Sequence, residues 1–200
     1  MNKTNRAERH QQRMQRVKQK VDSDIAQATT ERGLLLILTG NGKGKSTAGF
    51  GTLTRAIGHG LTGAALQFIK GDWDCGERNV LAKLGVEFHV MATGFTWDTQ
   101  DKAIDIAAAQ AVWQHAKRLL ADASVNVVLL DELTYMLSYK YLDLDEVLNA
   151  IKARPIQQHV IVTGRNCHRR LIDLADTVSE IQSVKHAFEQ QIKAQRGIDW

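Results

Sequence analysis

From Gly33 onward the chain alternates short apolar runs with longer amphipathic stretches. Residues 34–38 form a continuous apolar run, as a strand buried on both faces requires. A glycine loop follows, and the spacing then predicts a helix over 45–58. Further strands are predicted at 63–69, 86–91, 125–130, 159–163 and 177–181. Between them, helices are expected near 78–84, over 101–120, over 143–153 and, as a short piece, over 167–174. The clearest is 101–120, with Ile104, Ala108, Val112, Ala116 and Leu119 on one face. Asp143 suits the N-cap of the next helix, and Pro155 lies just past its end. Such alternation implies an α/β fold, an open and mainly parallel sheet with helices on both faces. There is no internal repeat and no low-complexity segment.

The segment before Gly33 reads differently. Its few apolar residues, Met14, Val17, Val21, Ile25 and Ala28, make one narrow helical stripe. Burying a large aliphatic side chain yields about 1.5–3 kcal/mol, whereas ordering each helical residue costs about 1–2 kcal/mol. So few anchors cannot hold a helix unaided. Residues 1–28 are therefore expected to be an arm ordered only on a ligand-filled site or a partner subunit, and 29–200 a single α/β domain. Charge supports the division. Among the first 20 residues, Lys3, Arg6, Arg9, Arg13, Arg16, Lys18 and Lys20 face the single acid Glu8, while the rest of the chain carries 19 basic and 21 acidic residues. A basic arm can meet nucleic acid or form a solvated helix face.

Two hundred residues with 44% hydrophobic and 24% charged side chains are what one soluble domain needs. No apolar run is long enough to span a membrane, and the basic N-terminus lacks the apolar stretch of a secretory signal. Cys75 and Cys167 lie far apart, which suits a reducing cytoplasm and argues against a disulfide framework or a Cys-rich zinc site.

The chemistry starts at Thr39-Gly40-Asn41-Gly42-Lys43-Gly44-Lys45-Ser46-Thr47, between a strand and a helix. Amide groups at a helix N-terminus point outward with partial positive charge, and glycines let that backbone wrap phosphate oxygens. Lys45 would neutralise the terminal phosphates of a nucleotide, and Ser46 would offer its hydroxyl to Mg²⁺. The loop is one residue shorter than a Walker A motif, because Thr39 stands where the first glycine belongs, and it carries an additional lysine, Lys43. Val127-Val128-Leu129-Leu130-Asp131-Glu132 supplies a Walker-B-like strand ending in carboxylates, which would hold Mg²⁺ directly or through water. The expected architecture is thus a P-loop (RecA-like) sheet.

In a parallel sheet the ligand sits at the carboxyl ends of the strands, and the unusual residues fall there. Phe95 and Trp97 suit a platform for a flat apolar ligand or burial under their loop. Arg165 and Arg169 suit a phosphate clamp or plain surface charge. His168 suits a ligand, a base or a structural role. Tyr135, Tyr139 and Tyr141 read as packing residues. No persuasive Ser-His-Asp or Cys-His set is apparent.

Taken together, these blocks resemble the P-loop-type ATP:corrinoid adenosyltransferases, also called cob(I)yrinic acid a,c-diamide adenosyltransferases. The residues that carry the resemblance are 39–46, Gln67-Phe68-Ile69-Lys70-Gly71, Met91-Ala92-Thr93-Gly94-Phe95-Thr96-Trp97, Leu130-Asp131-Glu132-Leu133-Thr134-Tyr135, Thr163-Gly164-Arg165, Cys167-His168-Arg169, Val184-Lys185-His186-Ala187-Phe188 and Gly197-Ile198-Asp199-Trp200. Ser46 stands where threonine is usual, and Trp200 where tyrosine is expected.

The resemblance implies a reaction. A Co(I) corrinoid attacks the 5′ carbon of ATP and inorganic triphosphate leaves, in adenosylcobalamin biosynthesis and salvage. It implies ATP contacts at Gly40, Asn41, Gly42, Lys43, Gly44, Lys45, Ser46, Thr47, Arg55 and Arg165, with ATP reversed relative to ordinary P-loop enzymes. Lys45 and Glu132 would be catalytic, and Mg²⁺ would meet Ser46 and Glu132 with Asp131 nearby. Phe95 and Trp97 would contact the corrinoid and displace its lower ligand to ease reduction. Implied partners are ATP, cob(I)alamin and its corrinoid precursors, a flavodoxin-like or free reduced flavin electron donor, and a second copy of the chain, with neither membrane nor nucleic acid. Rival readings are a nucleic-acid-dependent ATPase, a small-molecule kinase and a nucleotide-binding regulator.

Overall fold

The computed structural model describes residues 3–69, 74–91 and 102–199. It comprises two compact units, Met1–Glu31 and Arg32–Trp200. The first is a helix, α1 (Lys3–Gln27), whose Met14, Val17, Val21 and Ile25 are all exposed. Among its described residues none is buried.

The second unit is built on six strands: β1 (Leu35–Thr39), β2 (Gly63–Gln67), β3 (Glu87–Val90), β4 (Val127–Asp131), β5 (His159–Thr163) and β6 (Thr177–Glu180). Their order is β3-β2-β4-β5-β1-β6, and every pairing is parallel. The helices are α2 (Lys45–Gly58), α3 (Gly76–Leu81), α4 (Lys102–Ala121), α5 (Leu133–Ser138), α6 (Leu144–Ala153) and α7 (Arg169–Leu174).

The central strands are apolar on both faces because both faces are covered. Alternate residues serve opposite cores. Ala64, Leu66, Val128, Leu130, Val160 and Val162 pack with Val112, Trp113 and Ala116 of α4 and with Val147, Leu148 and Ile151 of α6. Ala65, Val127, Leu129 and Ile161 pack on the other side with Phe50 and Leu53 of α2 and Leu81 of α3. The doubly covered parallel sheet agrees with the expected fold class.

Most predicted elements are present with ends shifted by one to three residues. Asp143 does cap α6, accepting a hydrogen bond from Glu146 N at 2.8 Å. The helix expected from 167 begins at Arg169 instead, with His168 as its cap. The face assigned to α4 needs correction. Ile104 is 53% exposed, and the buried side runs through Asp105, Ala109, Val112, Trp113, Ala116 and Leu119. Large Trp113 turns the helix toward itself, since burying an indole outweighs burying one isoleucine. α5 was not foreseen; it starts directly after Glu132, whose backbone is left-handed.

Candidate active site

The carboxyl ends of β1, β4 and β5 lie side by side, since β5 pairs with both of the others. The phosphate loop leaves β1 there. Gly40 and Gly44 hold φ of 100° and 114°, a region that side chains with a Cβ rarely occupy. Gly42 donates its N–H to Ile181 O at 2.7 Å, which braces the loop against the segment after β6. No side chain caps the start of α2, and its first turn holds no acid. The helix therefore presents outward amides with nothing negative of its own nearby.

A cavity of about 570 Å³ opens on this loop. Lys43, Gly44, Lys45, Ser46 and Thr47 line it, and Glu132 faces it from the end of β4. Lys45 is buried and folds back, its ammonium donating to Gly42 O at 2.7 Å. Burial pushes its pKa below the ordinary lysine value, while the charge of Glu132, and less that of Asp131, opposes the shift. Arg165 is close enough to lower it further.

Asp131 sits beneath the cavity, fully buried. One of its oxygens accepts from Thr163 Oγ1 at 2.7 Å and the other from Gln67 Nε2 at 3.3 Å. Glu132 stands above it, its N–H donating to Thr163 Oγ1 at 2.9 Å. The residues needed for triphosphate and cation chemistry thus converge: two lysines, a hydroxyl, an aimed carboxylate and an uncapped helix start.

Other expected residues are placed differently. Asn41 is exposed and does not line the cavity. Arg55 is exposed in the last turn of α2, ten residues along from Lys45; its neighbour Thr54 reaches the cavity wall. At the rise of an α-helix that separation is about 15 Å. Arg169 is exposed beside Asp173, at 3.9 Å, and Arg170 pairs with Asp145. His168 has a structural role, its Nδ1 accepting from Arg170 N at 3.2 Å. Tyr135 and Tyr141 pack against the core as expected, whereas Tyr139 is exposed and touches both of their rings. Phe95 and Trp97 lie outside the described residues.

Two parts of the site were not foreseen from the residues alone. Gly197, Ile198 and Asp199 form one wall of the cavity, with Asp199 Oδ1 2.6 Å from Lys43 Nζ. Gln67 and Thr163 hold Asp131 from either side. A signal for the second existed: two five-residue strands ending in Asp131 and Thr163, which parallel pairing sets abreast.

Residues 31–200 match the family model described as "ATP:corrinoid adenosyltransferase BtuR/CobO/CobP". The chain belongs to that family. It is accordingly an enzyme, a transferase. Residues 1–25 match a second model, "Cob(I)alamin adenosyltransferase N terminal". The chain is 63% identical over 193 residues to the corrinoid adenosyltransferase of Escherichia coli K12, covering 96% of this chain and 98% of that one. It is 61% identical over 193 residues to corrinoid adenosyltransferase CobA of Salmonella typhimurium, with the same coverage. The Pseudomonas aeruginosa corrinoid adenosyltransferase is 51% identical over 195 residues, covering 96% of each chain.

Proposed function

We propose that this transferase moves the 5′-deoxyadenosyl group of ATP to the cobalt of a reduced corrinoid and releases inorganic triphosphate. The observation that carries the reading is the abbreviated loop, whose two lysines and serine face one cavity together with Glu132. Family membership supplies the substrate class. In the step proposed, Co(I) attacks C5′ with its electron pair, the C5′–O bond breaks, and the triphosphate leaves with the bonding electrons. Cobalt ends as an alkylated Co(III). So strong a nucleophile needs no general base, which accords with a site whose named acids neighbour a lysine and a hydroxyl. The protein's tasks are alignment and stabilisation of charge on the leaving group.

Lys43, Lys45 and the amides of 43–46 would take the triphosphate oxygens, with Gly42, whose own N–H is bound to Ile181 O, kept as a contact on the resemblance alone. Arg165, through its charge near Lys45, is assigned to the same anion; Gly40, Asn41, Thr47 and Arg55 remain proposed ATP contacts on the resemblance alone. The donors present fit Mg²⁺. The described residues contain no group of three or more His, Cys, Asp or Glu that could hold a cation alone. A cation served by Ser46 and Glu132 would complete its shell with nucleotide oxygens and water, as Mg²⁺ does. Mg²⁺ there would neutralise charge on the triphosphate. Asp131, with both oxygens engaged, would support the metal site from below.

Phe95 and Trp97 are proposed as the corrinoid's aromatic contacts, with a flavodoxin-like or free reduced flavin donor supplying electrons. The exposed stripe of α1 supports an arm that docks on a second copy of the chain. Two cysteines that form no disulfide, and the absence among the described residues of a helix long and apolar enough to cross a membrane, fit a cytoplasmic setting.

The deciding experiment is anaerobic. Protein, Mg-ATP and chemically reduced corrinoid should yield the cobalt–carbon absorption spectrum and triphosphate in equal amounts. ADP and phosphate would instead indicate an ATPase or kinase. Trp97→Ala should slow the reaction that starts from Co(II) far more than the one supplied with Co(I); equal losses would remove the lower-ligand role.

A further inference from the structure

The loops that leave β4 and β5 are joined laterally by two hydroxyl groups. Thr163, fully buried at the end of β5, donates to Asp131 Oδ1 at 2.7 Å and accepts from Glu132 N at 2.9 Å. Thr134, also buried, donates to Arg165 O at 2.6 Å. Between them Glu132 adopts φ 61° and ψ 23°, a left-handed backbone that a residue with a Cβ adopts only when its surroundings insist. An ordinary backbone here would carry its carboxylate elsewhere. In this conformation the Glu132 N–H is turned to Thr163 Oγ1.

We infer that Thr163 is a positioning residue for the metal-bearing acid: its single hydroxyl, accepting from Glu132 and donating to Asp131, locks the left-handed turn that aims the Glu132 carboxylate at Lys45 and the cavity. A hydroxyl is the smallest group able to do both. It accepts one hydrogen bond while giving its own proton to a carboxylate whose other oxygen is held by Gln67. Valine has the shape and neither function. Serine has both functions and lacks one methyl. Gln67 is a weaker second brace, since its longer bond, 3.3 Å, reaches only the other oxygen of Asp131.

The inference rests on the reading that Glu132 serves Mg²⁺ bound with ATP, and the test separates the two. ATP binding to the full chain is measured by calorimetry with and without Mg²⁺, for the wild type, Thr163→Val, Thr163→Ala and Thr163→Ser. In the wild type, Mg²⁺ should strengthen ATP binding; if it does not, the metal assignment fails whatever Thr163 does. Given that gain, Thr163→Val and Thr163→Ala should each lose about tenfold of it, the size seen when groups that orient metal ligands are removed. Metal-free ATP binding should stay near the wild-type value, and Thr163→Ser should keep the gain. A folded Val or Ala variant with the full Mg²⁺ gain overturns the inference. So does a result in which neither hydroxyl-free variant folds while Ser does, because the hydroxyl would then be holding the fold and not the acid.

Discussion

Lys45 is the residue on which the proposed site turns. It is only 6% exposed, and its ammonium rests on a loop carbonyl. Removing it takes away the buried cation that would meet charge developing on the leaving group. Lys45→Ala is expected to lower kcat/KM by a factor of about 100 or more, measured with supplied Co(I) corrinoid. Gly164 is the matching backbone case. Its φ is 135°, and a Cβ there would stand 2.0 Å from Thr134 Oγ1. Gly164→Ala should cost about 2 kcal/mol or more, read from urea denaturation, since both strain and overlap oppose it. At this scale the lysines, Ser46 and Glu132 were legible in the sequence, because a glycine loop between strand and helix admits few other uses. The role of Thr163 was not, since it depends on the sideways register of two strands far apart in the chain.

Among the elements, α4 shows where pattern reading runs short. Its run of alanines lets an apolar stripe be drawn along more than one line, and the period alone does not choose. Packing chooses, through Trp113, which is 1% exposed against β2, β4 and α6. Trp113→Ala should destabilise the domain by about 3–5 kcal/mol, whereas Ile104→Ala should change stability by no more than about 0.5 kcal/mol. Thermal unfolding of the two variants side by side checks the assignment; similar losses would restore the stripe through Ile104. The strands were easier to read, since each is a short apolar run that must be covered on both faces. α5 escaped because six residues after a left-handed turn carry too little periodicity to register.

Across the whole molecule, Asp176 ties the entrance of the sheet together. It binds the Arg32 guanidinium and accepts from Leu35 N at 2.8 Å, joining the residues that precede β1 to those that precede β6. The hydrogen bonds and charge of Arg32, then the Leu35 amide, hold its pKa down to about 2, against 3.8 for an unperturbed aspartate. A depressed carboxylate stabilises the fold fully above its unfolded value and loses that contribution as pH falls toward the folded one. The melting-temperature gap between wild type and Asp176→Asn should therefore be constant near neutrality and close between about pH 4 and pH 2. A gap that persists at pH 2 would assign the residue's effect to shape and not to charge. The phosphate cradle has a kinetic consequence at the same scale. Amides and lysines that favour a departing anion keep favouring it once the bond to the sugar is gone. Under the proposed reaction, the slowest event of each cycle would be the escape of triphosphate, and the free ion would inhibit in competition with fresh nucleotide.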